Sequence, residues 1–201
     1  MRRRAAFIPS KKDRIRTNNA SVGAIELSSI GVGYQVQDAL MKAANTTLII
    51  ARTICSGKYL IVFSGKVGDV ESAMETAVVV GGTSVIDKLV VANVHPALFP
   101  AMAQSVALSP EEIGALGVVE TFSAVSAMIA ADVAAKAANV TLFRLSLAMA
   151  MGGKGLLLMT GSLASVQAAV EAAENALKDS GLLACTTVLP RPERALFTDY
   201  I

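Results

Sequence analysis

Apolar residues fall along this chain in two alternating patterns. Short, nearly continuous apolar runs at Ala24–Leu27, Thr47–Arg52, Tyr59–Ser64 and Ile86–Val94 have strand length. Between them, Gln35–Ala44 and Val67–Val80 carry Ala, Val and Met at helical spacing. A run of four to eight apolar residues bounded by turn signals reads as a buried strand, and the i, i+3/i+4 spacing as a helix. The whole series then recurs. Strands are predicted at Gly117–Thr121, Thr141–Leu147, Leu156–Thr160 and Leu183–Leu189, and helices at Ala127–Ala138 and Leu163–Lys178. Each copy has the order β-α-β-β-α-β, which predicts an α+β fold: two tandem ferredoxin-like units, each with its helices on one side of an antiparallel sheet.

The recurrence extends to single residues. Gly23, Glu26, Asp38, Lys42, Ala43, Ala44, Asn45, Thr47 and Leu48 match Gly117, Glu120, Asp132, Lys136, Ala137, Ala138, Asn139, Thr141 and Leu142, each pair 94 positions apart. After the next strand the offset is 96, pairing Gly57-Lys58 with Gly153-Lys154, Gly65 with Gly161, Val70 with Val166 and Pro96 with Pro192. The second copy therefore has two extra residues just before its glycine loop. The boundaries that follow are an arm at 1–21, domain one at 22–102, a linker at 103–114 and domain two at 115–201. Ser109-Pro110-Glu111-Glu112 reads as a helix start within the linker. Asn45 and Asn139 stand where the first helix of each copy ends, and Asn tolerates the left-handed backbone common there. Two fused copies can take the places of two identical subunits, and closed rings are the common outcome of such association.

Composition adds a constraint. The chain is 53% hydrophobic but only 4% aromatic, without tryptophan, and its mean hydropathy is +0.55. No run approaches the roughly 18 apolar residues expected of a membrane span; Glu120 and Asp132 interrupt the most apolar region. The excess apolarity is assigned to core and oligomer interface, since obligate interfaces resemble cut cores. No membrane partner is expected. Net charge is +2, with seven bases and one acid in residues 1–18, so that segment carries +6 and the remainder −4. Such an arm reads as a solvated tail or as a docking segment. It lacks the apolar stretch of a secretory signal, so export is not expected. Two cysteines, Cys55 and Cys185, make no disulfide framework, and a reducing cytosol is the expected compartment.

Cys55 lies in Thr53-Ile54-Cys55-Ser56-Gly57-Lys58, a short glycine loop between two strands, and its repeat counterpart is Met151. An isolated cysteine is commonly a small buried hydrophobe, and no C-x-x-C spacing announces a metal. Cys185, on an apolar strand, is expected to be buried. His95, the only histidine, stands at the repeat counterpart of Arg191 with no Cys or carboxylate motif beside it. Gly152-Gly153 lacks the Walker spacing of a phosphate loop. Lys42 and Lys136 lie one helical turn beyond Asp38 and Asp132 and could form i,i+4 pairs. No triad or paired carboxylates appear, so no enzymatic activity is expected.

The residues resemble a known family. DALMKAAN (38–45) and DVAAKAAN (132–139) are similar to the D-x-x-x-K-A/S-A-N signature of bacterial microcompartment (BMC) shell proteins, GVVET (117–121) to their opening strand and LPRP (189–192) to their C-terminal element. The resemblance spans residues 22–201, in unpermuted order. Tandem-domain members of that family form homotrimers that imitate the flat hexamer of single-domain members. The resemblance therefore implies a pseudohexameric tile in a microcompartment shell, with other BMC shell proteins and enclosed redox enzymes as partners and no nucleic acid. It places Lys42, Asn45, Lys136, Asn139 and Arg191 at the tile edge, and Arg191 suits that place because its planar fork can clasp carbonyl groups. It also lines the central pore with Thr53, Ile54, Cys55, Ser56 and Gly57 of domain one, and with residues 148–153 of domain two, including Met151, Gly152 and Gly153.

Within the tandem group, TICSGK, LVVANVHPALFPA (89–101) and VLPRP (188–192) are similar to segments of the trimeric shell proteins of propanediol-utilisation microcompartments, with Ser56 where that subgroup has Pro. That subgroup holds an iron–sulfur cluster on the threefold axis through one cysteine of each subunit. The resemblance thus implies a cluster, of the 4Fe-4S type, with Cys55 as ligand, for electron relay or cluster delivery across the shell. Serine for proline at 56 is a change that need not move the thiol. The alternative is a redox-inert pore for small metabolites, in which Cys55 only shapes the channel.

Overall fold

The computed structural model describes residues 21–200. The basic arm lies outside the described residues. Domain one comprises β1 (Ser21–Leu27), α1 (Ile30–Ala43), β2 (Thr47–Ile54), β3 (Lys58–Gly65), α2 (Val67–Gly81) and β4 (Val85–Val91). A short helix, α3 (Leu98–Met102), leads to domain two: β5 (Ala115–Thr121), α4 (Ala124–Ala137), β6 (Val140–Leu147), β7 (Gly155–Gly161), α5 (Leu163–Leu177) and β8 (Leu183–Leu189). The two sheets have the orders β2-β3-β1-β4 and β6-β7-β5-β8, antiparallel throughout. This is the duplicated α+β, ferredoxin-like architecture that the apolar pattern predicts.

Three local expectations differ from what is found. Helices α1 and α4 begin earlier than Gln35 and Ala127, because serines cap them. The Ser29 hydroxyl accepts the Val32 amide at 3.4 Å, and the Ser123 hydroxyl accepts those of Val125 and Ser126 at 3.0 and 3.1 Å. Such caps satisfy amides that no preceding turn can reach. The helices also end without a left-handed residue. Ala44 and Ala138 are extended (φ −152° and −151°), so the chain enters β2 and β6 directly and Asn45 and Asn139 need no special backbone. Finally, the short helix between the two units is Leu98–Met102, ahead of the expected linker, whereas Ser109–Glu112 forms a turn in which the Glu112 carboxylate accepts the Ser109 amide at 2.8 Å.

One core fills domain one between its sheet and helices: Ile25, Leu27, Val36, Leu40, Tyr59, Ile61, Phe63 and Val70. The second core is shared. The opposite face of the first sheet (Val22, Ala24, Leu60, Val62) packs with Leu98 and Phe99 of α3 and with Met128 and the alanines of α4. Small residues permit the close approaches. A Cβ on Gly33 of α1 would lie 2.4 Å from the Tyr59 ring, and at the same place in domain two a Cβ on Gly155 would lie 2.5 Å from that of Ala127. Each copy thus solves one contact with the bulk on opposite sides.

Strand pairing corrects the repeat register at the end of each domain. Val22 faces Val91 and Leu116 faces Leu189, so the last strands are offset by 98. Asp87, opposite Glu26, therefore corresponds to Cys185, opposite Glu120.

Candidate functional site: the Cys55 loop and its surroundings

The β2–β3 and β6–β7 loops meet. The Cys55 amide donates to the Ala148 carbonyl at 3.0 Å, and the Ser56 hydroxyl to the Gly152 carbonyl at 3.1 Å. The contact brings Cys55, Ser56, Gly57, Met151, Gly152 and Gly153 into one patch. Both loops turn sharply through left-handed backbone. Ser56, Gly57, Ala148, Ala150, Gly152 and Gly153 have φ of 64°, 70°, 56°, 60°, 61° and 87°. Three of these are not glycine, and such positions persist only where their surroundings hold them. The turns aim backbone amides inward. The Ala150 amide reaches Cys55 Sγ at 3.1 Å. The amides of Met151 and Ala150 hold the thiol below the ordinary cysteine range against an opposing desolvation, with lesser help from those of Gly153 and Gly152. Hydrogen bonds to the charged form favour it.

Cys55 is half-buried, Thr53 is exposed, and Ile54 points into the shared core. The backbone at Ser56 bears on the proline expectation. Proline is locked near φ −65°, so a proline at 56 cannot share the path that serine takes here at +64°. The substitution is not neutral to the loop.

The expected edge residues Lys42, Asn45, Lys136, Asn139 and Arg191 are all exposed. Lys42 pairs with Asp38 at 2.6 Å, both in solvent. Lys136 pairs with Asp132 at 2.5 Å, but Asp132 is buried, and its other oxygen accepts the His95 amide at 2.7 Å. His95 heads α3, its ring Nδ1 accepting the Ala97 amide. Cys185, expected in the core, is exposed. It lies on edge strand β8 opposite Glu120, on the sheet face turned away from the domain's own helices.

Sequence reasoning missed the junction between the domains. Glu26 is fully buried, yet one charged partner and one amide satisfy it. Its Oε1 accepts Lys58 Nζ at 2.8 Å, and its Oε2 accepts the Ala124 amide, the first of α4, at 2.6 Å. A carboxylate suits a helix N-terminus, where free amides carry partial positive charge. Beside it, Asp87 Oδ2 accepts the hydroxyls of Ser123 (2.7 Å) and Ser126 (2.6 Å). The available signal was the recurrence of Glu26 and Glu120 inside otherwise apolar strands. Among the described residues no three His, Cys, Asp or Glu side chains gather as a metal site.

Comparison with known proteins agrees with this architecture. The BMC domain model matches residues 21–94 and again 115–192. A bacterial microcompartment shell protein of Citrobacter freundii, PduT, is 36% identical over 181 residues, covering 90% of this chain and 97% of the relative. A microcompartment protein of Desulfitobacterium hafniense DCB superposes with a TM-score of 0.76 at 36% identity, covering 88% of this chain and 97% of its own. A fused permuted hexameric shell protein of the RMM microcompartment shares the fold alone, with a TM-score of 0.60 at 23% identity over 85% of this chain and 91% of its own. The chain belongs to the BMC domain family. It is a structural shell protein of a bacterial microcompartment.

Proposed function

We propose that this shell protein forms a flat homotrimeric tile whose central pore is edged by the Cys55 loop, and that three copies of Cys55 hold one iron–sulfur cluster of the 4Fe-4S type. The observation that carries the reading is the Ala150 amide turned onto Cys55 Sγ at 3.1 Å, in a loop whose neighbouring amides also hold the thiol below the ordinary cysteine range. The thiolate is the metal-binding form, and these amides favour it. Hydrogen bonds to ligand sulfur also tune the potential of such clusters. A cysteine serving only as a small apolar side chain would need neither half exposure nor donors. Clusters of this type take four ligands. Three chains give three thiols, and water or an external donor supplies the fourth. The bound group would supply one-electron chemistry at the pore, suited to relaying electrons across the shell or to delivering a cluster to enclosed redox enzymes.

Anaerobic purification with iron and sulfide analysis and EPR, on wild type and Cys55→Ala, tests this. A cluster is expected in wild type alone. A cluster that survives Cys55→Ala sinks the assignment. None in either protein after reconstitution favours the redox-inert pore for small metabolites.

A further inference from the structure

Helix α2 turns one face to its sheet and leaves the other uncovered. Val70, Ala73, Met74 and Ala77 are buried in the first core. On the opposite side Val79 is 81% exposed, more than any other large apolar side chain among the described residues, and Val80 beside it is exposed too. Earlier on the helix, Asp69, Glu71 and Glu75 have no ion-pair partner among the described residues, and α2 itself contains no base. Glu71 and Glu75 stand one turn apart, and like charges at that spacing destabilise a helix unless something neutralises them. The second copy of the helix lacks this character. At the 96-residue offset, Asp69, Glu71, Val79 and Val80 become Ser165, Gln167, Asn175 and Ala176 of α5.

The basic arm joins the body beside this helix. Ser21 opens β1 and pairs with Gly65 of β3, two residues before α2 begins at Val67. A Cβ on Gly65 would lie 3.6 Å from that of Asp69. The 20 residues before Ser21 reach up to about 66 Å when extended, whereas the 15 residues of α2 are about 22 Å long. Order along the arm also matches order along the helix. Arg16, Arg14, Lys12 and Lys11 lie nearest Ser21, as the acids come first on α2; Phe7 and Ile8 lie farther out, as Val79 and Val80 come last. In domain two the segment before β5 folds across the outer face of its sheet through Val106, Leu108 and Ile113. That route is closed to the arm, because α3 and α4 cover the outer face of the first sheet. We infer that residues 7–16 dock on the solvent face of their own chain's α2, with the bases of 11–16 on Glu71 and Glu75 and with Phe7 and Ile8 on Val79 and Val80. The BMC domain match begins at residue 21, so the docked arm is an addition to the matched domain. Docking sets a segment of charge +6 against a body of charge −4. Salt weakens it, because the Debye length falls from about 10 Å at 0.1 M to about 3 Å at 1 M.

The full chain supplies the test. Carbodiimide joins a lysine to a carboxylate only where the two touch. At low salt it is expected to link Lys11 or Lys12 to Glu71 or Glu75, mapped by peptide mass spectrometry in the gel band of single-chain mass. The yield should fall at least about fivefold in about 1 M sodium chloride. Links found only in bands of twice the chain mass would place the arm on a neighbour and overturn the inference. Links to other acids alone, or none, would overturn it as well. The chain has no tryptophan, so Phe7→Trp gives an independent reading. Its emission should shift to the red when Glu71→Lys and Glu75→Lys are added together, and again when Val79→Asp is added instead. All three substitutions lie at exposed positions, and circular dichroism should show the fold retained. An emission maximum that is the same with and without these changes overturns the docking.

Discussion

Glu26 of the first repeat accepts the amide of Ala124, the first residue of the second repeat's leading helix, at 2.6 Å, with no solvent exposure. A buried carboxylate is tolerable only when paired and hydrogen-bonded, and Lys58 and the helix terminus supply both. The two repeats are therefore one folded body. The contact sits at the start of α4, which packs on β6, the strand that leads into the loop of residues 148–153.

Removing that carboxylate strands the Ala124 amide and leaves Lys58 with only the Phe122 carbonyl. Breaking a buried pair in this way costs about 3–5 kcal/mol, so Glu26→Ala should lower the urea midpoint severely. Glu26→Gln, which keeps an acceptor for the amide, should lose less. Asp38→Ala removes an exposed pair, worth at most about 1 kcal/mol. Similar losses for Glu26→Ala and Asp38→Ala would show that the junction does not depend on the carboxylate.

The glycine exchange between the copies makes a sharper packing prediction. Gly33→Ala places a Cβ 2.4 Å from the Tyr59 ring, and overpacking of this kind costs about 1–3 kcal/mol. Gly68→Ala, which copies Ala164 of the other repeat and meets nothing within 4 Å, should be neutral or stabilising by up to about 1 kcal/mol. Thermal denaturation of both variants checks the pair. Equal effects would mean that Tyr59 yields.

The architecture was legible because the apolar periodicity is written twice, and each copy vouches for the other. What escaped the sequence was where the repeats differ in surroundings. Asp38 and Asp132 look alike as letters, yet one is in solvent and the other takes the His95 amide across the domain junction. Cys185 reads as a core residue because its strand is apolar, but β8 is an edge strand and the side chain lies exposed on it. The Cys55 loop was legible as a candidate only through family resemblance. Its amide donors come from a segment 95 residues away, brought there by two left-handed alanines that no propensity rule expects.

Those donors give Cys55 a measurable signature. They favour the thiolate, so its titration lies below that of an ordinary cysteine, near 8.5. As pH falls through the lowered value, the thiolate protonates and the stabilisation from the amides is lost; above the ordinary value it is fully present. Iodoacetamide labelling of a Cys185→Ser protein against pH should show a midpoint displaced downward. A midpoint at or above the ordinary value would remove the physical support for a ligand role.

Ser56→Pro tests the loop itself. Proline cannot adopt φ +64°, so the turn must change path, and a forced change of this kind costs on the order of 1–3 kcal/mol. The Cys55 titration should then move back toward the ordinary cysteine range as the amides lose their aim. Ser56→Gly, which accepts the left-handed backbone freely, should keep the lowered titration. If the proline variant titrates like wild type, the amides do not depend on the path of residue 56.

Burial separates two lysines that the repeat treats as equals. Lys42 and Asp38 are both well exposed, so Lys42→Asp should leave stability within about 1 kcal/mol of wild type. If Lys42 meets neighbouring tiles, the variant should stay trimeric and cease to form sheets in electron micrographs. Lys136→Asp is different, because Asp132 is only 6% exposed and also holds the His95 amide. A second carboxylate there places like charges one helical turn apart, one of them nearly buried, and should loosen the domain junction. Its unfolding midpoint should fall well below that of Lys42→Asp, and Lys136→Gln should recover part of the loss. Intact sheets from Lys42→Asp would refute the edge assignment, and matching midpoints for the two aspartate variants would refute the coupling of Lys136 to the junction.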